Sequence, residues 1–140
     1  MKVFFDTNVY VAEAILGGGA ERMLDATQRA SWRVSCCRTV LDEVRRVLVE
    51  YLGFSERLAV LTQARIVRRA VLVEPGASRH HVPQDPNDSP ILVAALVAGV
   101  DYLVSNDTHL LALDPCEGMR IISMDAYYRL LVEEGLLSDD

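Results

Sequence analysis

The chain predicts an α/β domain with a mainly parallel central sheet, and three observations lead there. Short apolar runs suited to strands alternate along all 140 residues with longer amphipathic segments suited to helices, which is the pattern of repeated βα units. The runs are separated by helix-length segments, so the sheet is expected to be mainly parallel. No repeat, low-complexity tract or linker interrupts the pattern, so residues 1–140 read as one domain, long enough to bury a core.

Each element follows in order from local chemistry. Lys2–Phe5 reads as the first strand. Asn8 to about Leu16 reads as a helix ended by Gly17-Gly18-Gly19, a flexible connection near the substrate entrance, and a second helix runs from about Ala20 to Arg29. Arg33–Cys36 is the second strand. A helix over 40–52 follows with Thr39 as N-cap; its Val40, Leu41, Val44, Val47, Leu48, Tyr51 and Leu52 form one apolar face at 3.6 spacing. Ser55 opens another helix to about Arg69, ahead of a third strand at Val71–Glu74. Residues 75–87 form a loop rich in Pro, Gly and polar side chains. The 89–98 helix is apolar all round, as a helix buried on most sides must be, with Pro90 tolerated in its first turn. A strand at 101–105, a short helix at 108–113, a strand near 120–123 and a helix at 124–134 complete the chain.

Composition narrows the function classes. Half the residues are apolar, yet no uncharged run approaches the ~20 residues of a membrane span. Met1-Lys2 leads straight into a strand without a signal-like segment, so the expectation is a soluble cytoplasmic protein. Cys36, Cys37 and Cys116 are odd in number and form neither a disulfide framework nor a zinc knuckle. They read as small buried residues of a reducing compartment. His80-His81 have no zinc partner at the right spacing and read as loop.

The net charge is −6 but unevenly spread: residues 22–79 hold eleven arginines against six acids, and residues 80–140 hold two against eleven. Two readings fit the basic stretch equally. It is either a flank that grips a phosphodiester beside an acidic site or a set of ordinary solvated helix faces.

Four carboxylates carry the functional signal. Asp6 and Asp107 each follow an apolar strand, Asp88 immediately precedes the apolar helix, and Glu43 lies in the first turns of the 40–52 helix. On that helix Asp42 points opposite the apolar face, whereas Glu43 sits at its border and can lean over the sheet. If the strands are parallel their carboxyl ends share one edge, and acids distant in sequence meet there. Converging carboxylates repel, and a divalent cation with oxygen ligands is the usual resolution. Alone, Asp88 or Asp107 would be a helix cap, Asp6 an Asx-turn residue and Glu43 a first-turn acid serving the helix dipole.

The segments around these acids resemble the PIN-domain ribonucleases, which include the VapC-type toxins. They are Val3-Phe4-Phe5-Asp6-Thr7-Asn8, Val40-Leu41-Asp42-Glu43-Val44, Asp85-Pro86-Asn87-Asp88-Ser89-Pro90-Ile91-Leu92, and Tyr102-Leu103-Val104-Ser105-Asn106-Asp107-Thr108-His109-Leu110-Leu111. They stand in the family's order and at similar separations. The resemblance implies a three-layer α/β/α sandwich and the acidic quartet Asp6, Glu43, Asp88 and Asp107 as catalytic metal ligands for Mg²⁺ or Mn²⁺. Thr7, Asn8 and Ser105 would be polar support. It further implies cleavage of RNA by metal-activated water, a homodimer, and a small antitoxin as partner. Leu130, Leu131, Leu136 and Leu137 give the dimer weak sequence support. Asn106 stands where the family often has glycine, and His109 where an acid is frequent.

Two other functions compete. A Mg²⁺-dependent phosphotransfer protein, of the haloacid-dehalogenase or response-regulator kind, also places acids after its first strand. It requires a lysine beside the phosphate, and the only lysine here, Lys2, begins that strand at its far end. A catalytically idle PIN-like module that only binds RNA or protein would be signalled by lost acids, and all four are present.

Overall fold

The computed structural model describes residues 1–74 and 89–138. Five parallel strands form one sheet in the order β3-β2-β1-β4-β5: β1 Lys2–Phe5, β2 Arg33–Cys37, β3 Val71–Val73, β4 Tyr102–Val104 and β5 Arg120–Ile122. The helices among the described residues are α1 Thr7–Leu16, α2 Gly18–Arg29, α3 Arg38–Arg46, α4 Glu56–Arg69, α5 Pro90–Ala98, α6 Thr108–Leu111 and α7 Met124–Glu133. The expected parallel sheet is therefore present, and every described strand pair is parallel.

The order decides where a site can form. From the central β1 the chain adds β2 and then β3 on one side, crosses back to β4 on the other, and ends at β5. Right-handed crossovers running in opposite directions put their helices on opposite faces, which makes the α/β/α sandwich. The order reverses between β1 and β4, and the crevice outside their carboxyl ends is the topological switch point where α/β sheets bind ligands.

A sheet covered on both faces calls for unbroken apolar strands, and Val3, Phe4, Phe5, Leu103 and Val104 are fully buried. Phe5 meets Tyr10 of α1 and Tyr127 of α7 edge-to-face, with ring centroids 6.0 and 5.5 Å apart. These two aromatic pairs, each worth ~0.5–1.5 kcal/mol beyond area burial, hold the end of β1 in place beneath Asp6.

Several sequence expectations change. The glycine run is no independent connection: α1 ends at Gly17 (φ 63°), whose N–H donates to Glu13 O, and α2 starts at once with Gly18. Thr39 is not an N-cap, because α3 begins one residue earlier at Arg38, after Cys37 and without a side-chain cap. The 40–52 helix is not one α-helix: it passes after Arg46 into a π-helical turn, Val47–Tyr51. The 89–98 helix opens at Pro90 with Ser89 as N-cap, its Oγ accepting from Ile91 N at 3.0 Å. Of its apolar side chains Ile91, Leu92, Ala94 and Ala95 are buried, while Val93 and the residues from Leu96 to Ala98 are half-buried. Leu131 is buried, and Leu130, Leu136 and Leu137 are half-buried against the core.

Candidate active site

The site grows out of the paired ends of β1 and β4. Phe5 and Val104 are in register, and Asp6 N–H donates to Val104 O at 3.0 Å, so the pairing runs one residue past the strand. Asp6 is extended (φ −71°, ψ 165°) and serves as N-cap of α1; its Oδ1 accepts from Thr7 N at 2.7 Å. Its Oδ2 accepts from Ser105 Oγ at 2.6 Å. Ser105 is itself pinned, with its N–H on Ile122 O at 2.9 Å. Ser105 Oγ in turn accepts from Asp107 N at 2.9 Å, and Asp107 caps α6 through His109 N at 2.8 Å. From the other side, Thr7 Oγ1 donates to Glu43 Oε1 at 2.9 Å.

One continuous chain of polar contacts thus runs Glu43–Thr7–Asp6–Ser105–Asp107, drawing on α3, α1 and the ends of β1 and β4. The capping role of Asp6 and Asp107 and membership of this cluster coexist.

The electrostatics are lopsided. Asp6 is 5% exposed, Thr7 and Ser105 are buried, Glu43 is half-buried and Asp107 is exposed. Burial pushes the Asp6 carboxyl above its ordinary value. The hydrogen bonds from Ser105 and Thr7 pull it back, and the nearby charges of Glu43 and Asp107 push it up again. Among the described residues no Arg or Lys forms an ion pair with Asp6, Glu43 or Asp107. A partly buried acidic group without a counter-charge is what a divalent cation neutralises.

The donor chemistry fits a hard ion, since every side chain offered is an oxygen. Mg²⁺ needs only one or two carboxylates, the rest of its shell being water and substrate phosphate. Among the described residues no three His, Cys, Asp or Glu side chains gather closely enough to hold an ion by themselves.

The structure therefore brings together Asp6, Glu43, Asp107, Thr7 and Ser105. Asp88 lies outside the described residues, as do Asp85, His80 and His81. Asn8 is exposed on the first turn of α1, and Asp42 is exposed on α3, away from the cluster that Glu43 joins. Lys2 is exposed at the start of β1, with its backbone N–H on Asp101 Oδ2 at 2.9 Å, a strand's length from Asp6. One residue had gone unnoticed as an anchor. Asn106 Oδ1 accepts from Met124 N at 2.9 Å and ties the turn between Ser105 and Asp107 to the start of α7. Its only sequence signal is an Asn after a strand, which marks turns in general.

The fold is similar to that of the Mycobacterium tuberculosis toxin VapC20, a sarcin–ricin-loop-cleaving toxin. The TM-score is 0.54 at 21% identity, over 84% of this chain and 98% of that one. No curated protein is similar enough to count as a match. Residues 2–109 match the family model of the PIN domain, and the chain belongs to the PIN-domain family.

Proposed function

We propose that this PIN-domain protein is a metal-dependent endoribonuclease of the VapC kind, with Asp6, Glu43, Asp88 and Asp107 as its acidic quartet. The observation that carries the proposal is the acidic cluster at the switch point, without a counter-charge among the described residues: a buried Asp6 joined through Thr7 to Glu43 and through Ser105 to Asp107. Family membership supports the reaction class, and the toxin VapC20 supports RNA as the substrate class. On this reading the 1–140 chain is one cytoplasmic nuclease domain. Among the described residues no helix is long and apolar enough to cross a membrane.

Asp6, Glu43 and Asp107, with Asp88, would hold Mg²⁺ or Mn²⁺, which when bound lowers the pKa of a water and offsets charge on the scissile phosphate. The protein's part is orientation. Ser105 Oγ holds one Asp6 oxygen and the Thr7 amide the other, which fixes the carboxylate plane before any ligand arrives. Thr7 Oγ1 steadies Glu43 Oε1 and leaves Oε2 to orient the attacking water or to bind the ion. Asp107 is the exposed acid and meets substrate first. No serine or cysteine nucleophile is used: burial pushes the Cys36 thiol up to about 12 and raises that of Cys37 as well, so both remain unreactive thiols.

A small antitoxin and a second copy of the chain complete the proposal. Apolar side chains exposed along α4 and β3 (Leu58, Val60, Leu61, Val67, Val71 and Leu72) support a protein partner, because such surface is rarely left open.

The deciding test is cleavage of RNA with Mg²⁺ or Mn²⁺ by wild type, Asp6→Asn and Asp88→Asn. Wild type should cleave and both variants should fail; a wild type without cleavage, or variants that match it, ends the nuclease reading. EDTA should abolish activity, and cleavage that survives EDTA removes the metal from the mechanism.

A further inference from the structure

On the apolar face of the 40–52 segment, Tyr51 belongs with Val44 and Leu48 at helical spacing, and a continued α-helix would bury it. The π-helical turn Val47–Tyr51 changes that. Its wider closure, with Leu52 N–H on Val47 O at 3.1 Å, takes Tyr51 off the core face while Leu48 stays fully buried. Tyr51 is left 69% exposed. Such turns occur mostly as single insertions in helices and often at functional sites.

The exposed ring is not loose. The Arg46 guanidinium lies 5.6 Å from its centroid, and Arg46 Nη1 donates to Tyr51 Oη at 3.3 Å. Arg46 makes no ion pair among the described residues. Its charge is therefore set on a ring rather than on an acid. One face of the tyrosine carries the cation, and the remaining exposed area is an open aromatic surface. Arg46 also stands three residues from Glu43 on the same helix, which makes the two surface neighbours with Cβ atoms about 5–6 Å apart. Arg46 is thus one helical turn from the acidic cluster, and Tyr51, eight residues from Glu43, lies about 12 Å from it along the helix axis.

Basic side chains without an acid partner among the described residues recur along the same helices. Arg38, at the start of α3, and Arg57 and Arg68 of α4 are exposed and make no ion pair among the described residues. Arg45 and Arg65, by contrast, are tied to acids. Proteins that hold single-stranded nucleic acid combine basic groups along the backbone track with aromatic rings on which bases stack, and guanidinium–π contacts strengthen the stack. We propose that Arg46 and Tyr51 form a stacking subsite for an unpaired base of the RNA substrate, set along the strand from the nucleotides whose phosphate lies at Asp6 and Glu43. The subsite rests on the nuclease reading for its ligand class, while its geometry is independent of the metal.

The test is binding of a fluorescein-labelled single-stranded oligoribonucleotide in EDTA, followed by anisotropy over a range of salt. Tyr51→Ala should weaken binding about tenfold, within the span that removal of a stacked aromatic costs, with an unchanged salt slope. Tyr51→Phe, which keeps the ring and loses only the hydroxyl, should bind within about twofold of wild type. Arg46→Ala should weaken binding and reduce the salt slope by about one. In Mg²⁺ the Tyr51→Ala loss should appear as a raised KM rather than a lowered kcat.

Unchanged binding by Tyr51→Ala overturns the subsite, as does a Tyr51→Phe loss equal to that of alanine. Loss of a dimer in Tyr51→Ala with RNA binding intact assigns the ring to an interface between copies instead. Wild type that binds RNA through Tyr51 but never cleaves it sinks the nuclease reading alone. Wild type that cleaves while Tyr51→Ala keeps its KM sinks the subsite alone.

Discussion

Asp6 and Glu13 are two buried carboxylates seven positions apart, 5% and 7% exposed, and the chain treats them in opposite ways. Glu13 is gripped by Arg69 through two hydrogen bonds of 2.8 and 2.9 Å, and Arg65 approaches at 3.3 Å. That pairing raises the Arg69 pKa, with the Glu13 hydrogen bond as the main cause. Among the described residues Asp6 receives only a hydroxyl and a backbone amide, and two more acids press on it. A buried charge costs several kcal/mol unless something answers it. Glu13 is answered inside the chain and joins α1 to α4, a structural role. Asp6 has no such answer among the described residues, and on the proposed nuclease reading a divalent cation would supply it.

Four experiments break or sharpen the contrast. The largest effect belongs to Glu13→Gln, which strands a guanidinium whose Nε already has no hydrogen-bond partner among the described residues. Unfolding in urea should show a loss of about 3 kcal/mol, the low end for breaking a buried pair because Arg69 retains some exposure. A loss below ~1 kcal/mol would mean that Glu13 is no strut.

Asp6→Asn should act the other way. Cleavage should fall by more than the roughly 10–100-fold that loss of a mere supporting partner of a metal ligand costs, with fold stability equal to or above wild type. Saturating Mg²⁺ should raise the melting midpoint of wild type by mass action and leave that of Asp6→Asn unmoved. Should the variant still gain from Mg²⁺, Asp6 is not a ligand.

The third effect is one of pH in metal-free protein. The Asp6 carboxyl is raised above 3.8 in the folded state, so the unfolded chain gives up that proton first. Stability from this group is fully present below the unfolded value and is lost as pH rises through the folded one. The advantage of Asp6→Asn over wild type should therefore open above pH 3.8 and close below it; urea midpoints across that range decide the sign.

The smallest effect is Arg65→Ala. Arg65 is 47% exposed and only supplements Arg69, so its removal should cost about 0.5 kcal/mol; a loss near that of Glu13→Gln would make Arg65 the true partner.

Much of this was legible along the chain. The strand–helix alternation announced the parallel sheet, and acids after apolar strands put Asp6 and Asp107 just past the ends of β1 and β4, since both depend on local spacing. The wheel position of Glu43 against Asp42 anticipated which of the two reaches Thr7. Other features were hidden for physical reasons. The Thr39 cap failed because α3 starts directly from β2, which puts Thr39 inside the first helical turn. Tyr51 carries the spacing of a core residue, and only an inserted π turn turns it outward. The Glu13–Arg69 pair spans 56 residues, and nothing local in either helix marks it.

Residue order alone determined the class of fold, the elements that bear the acids and the family to which the chain belongs, because periodicity, turn chemistry and motif spacing are properties of neighbouring residues. Tertiary structure decided which carboxylate is neutralised and which is left open. Burial and the distance to a counter-charge depend on partners that the fold, rather than the sequence interval, brings together.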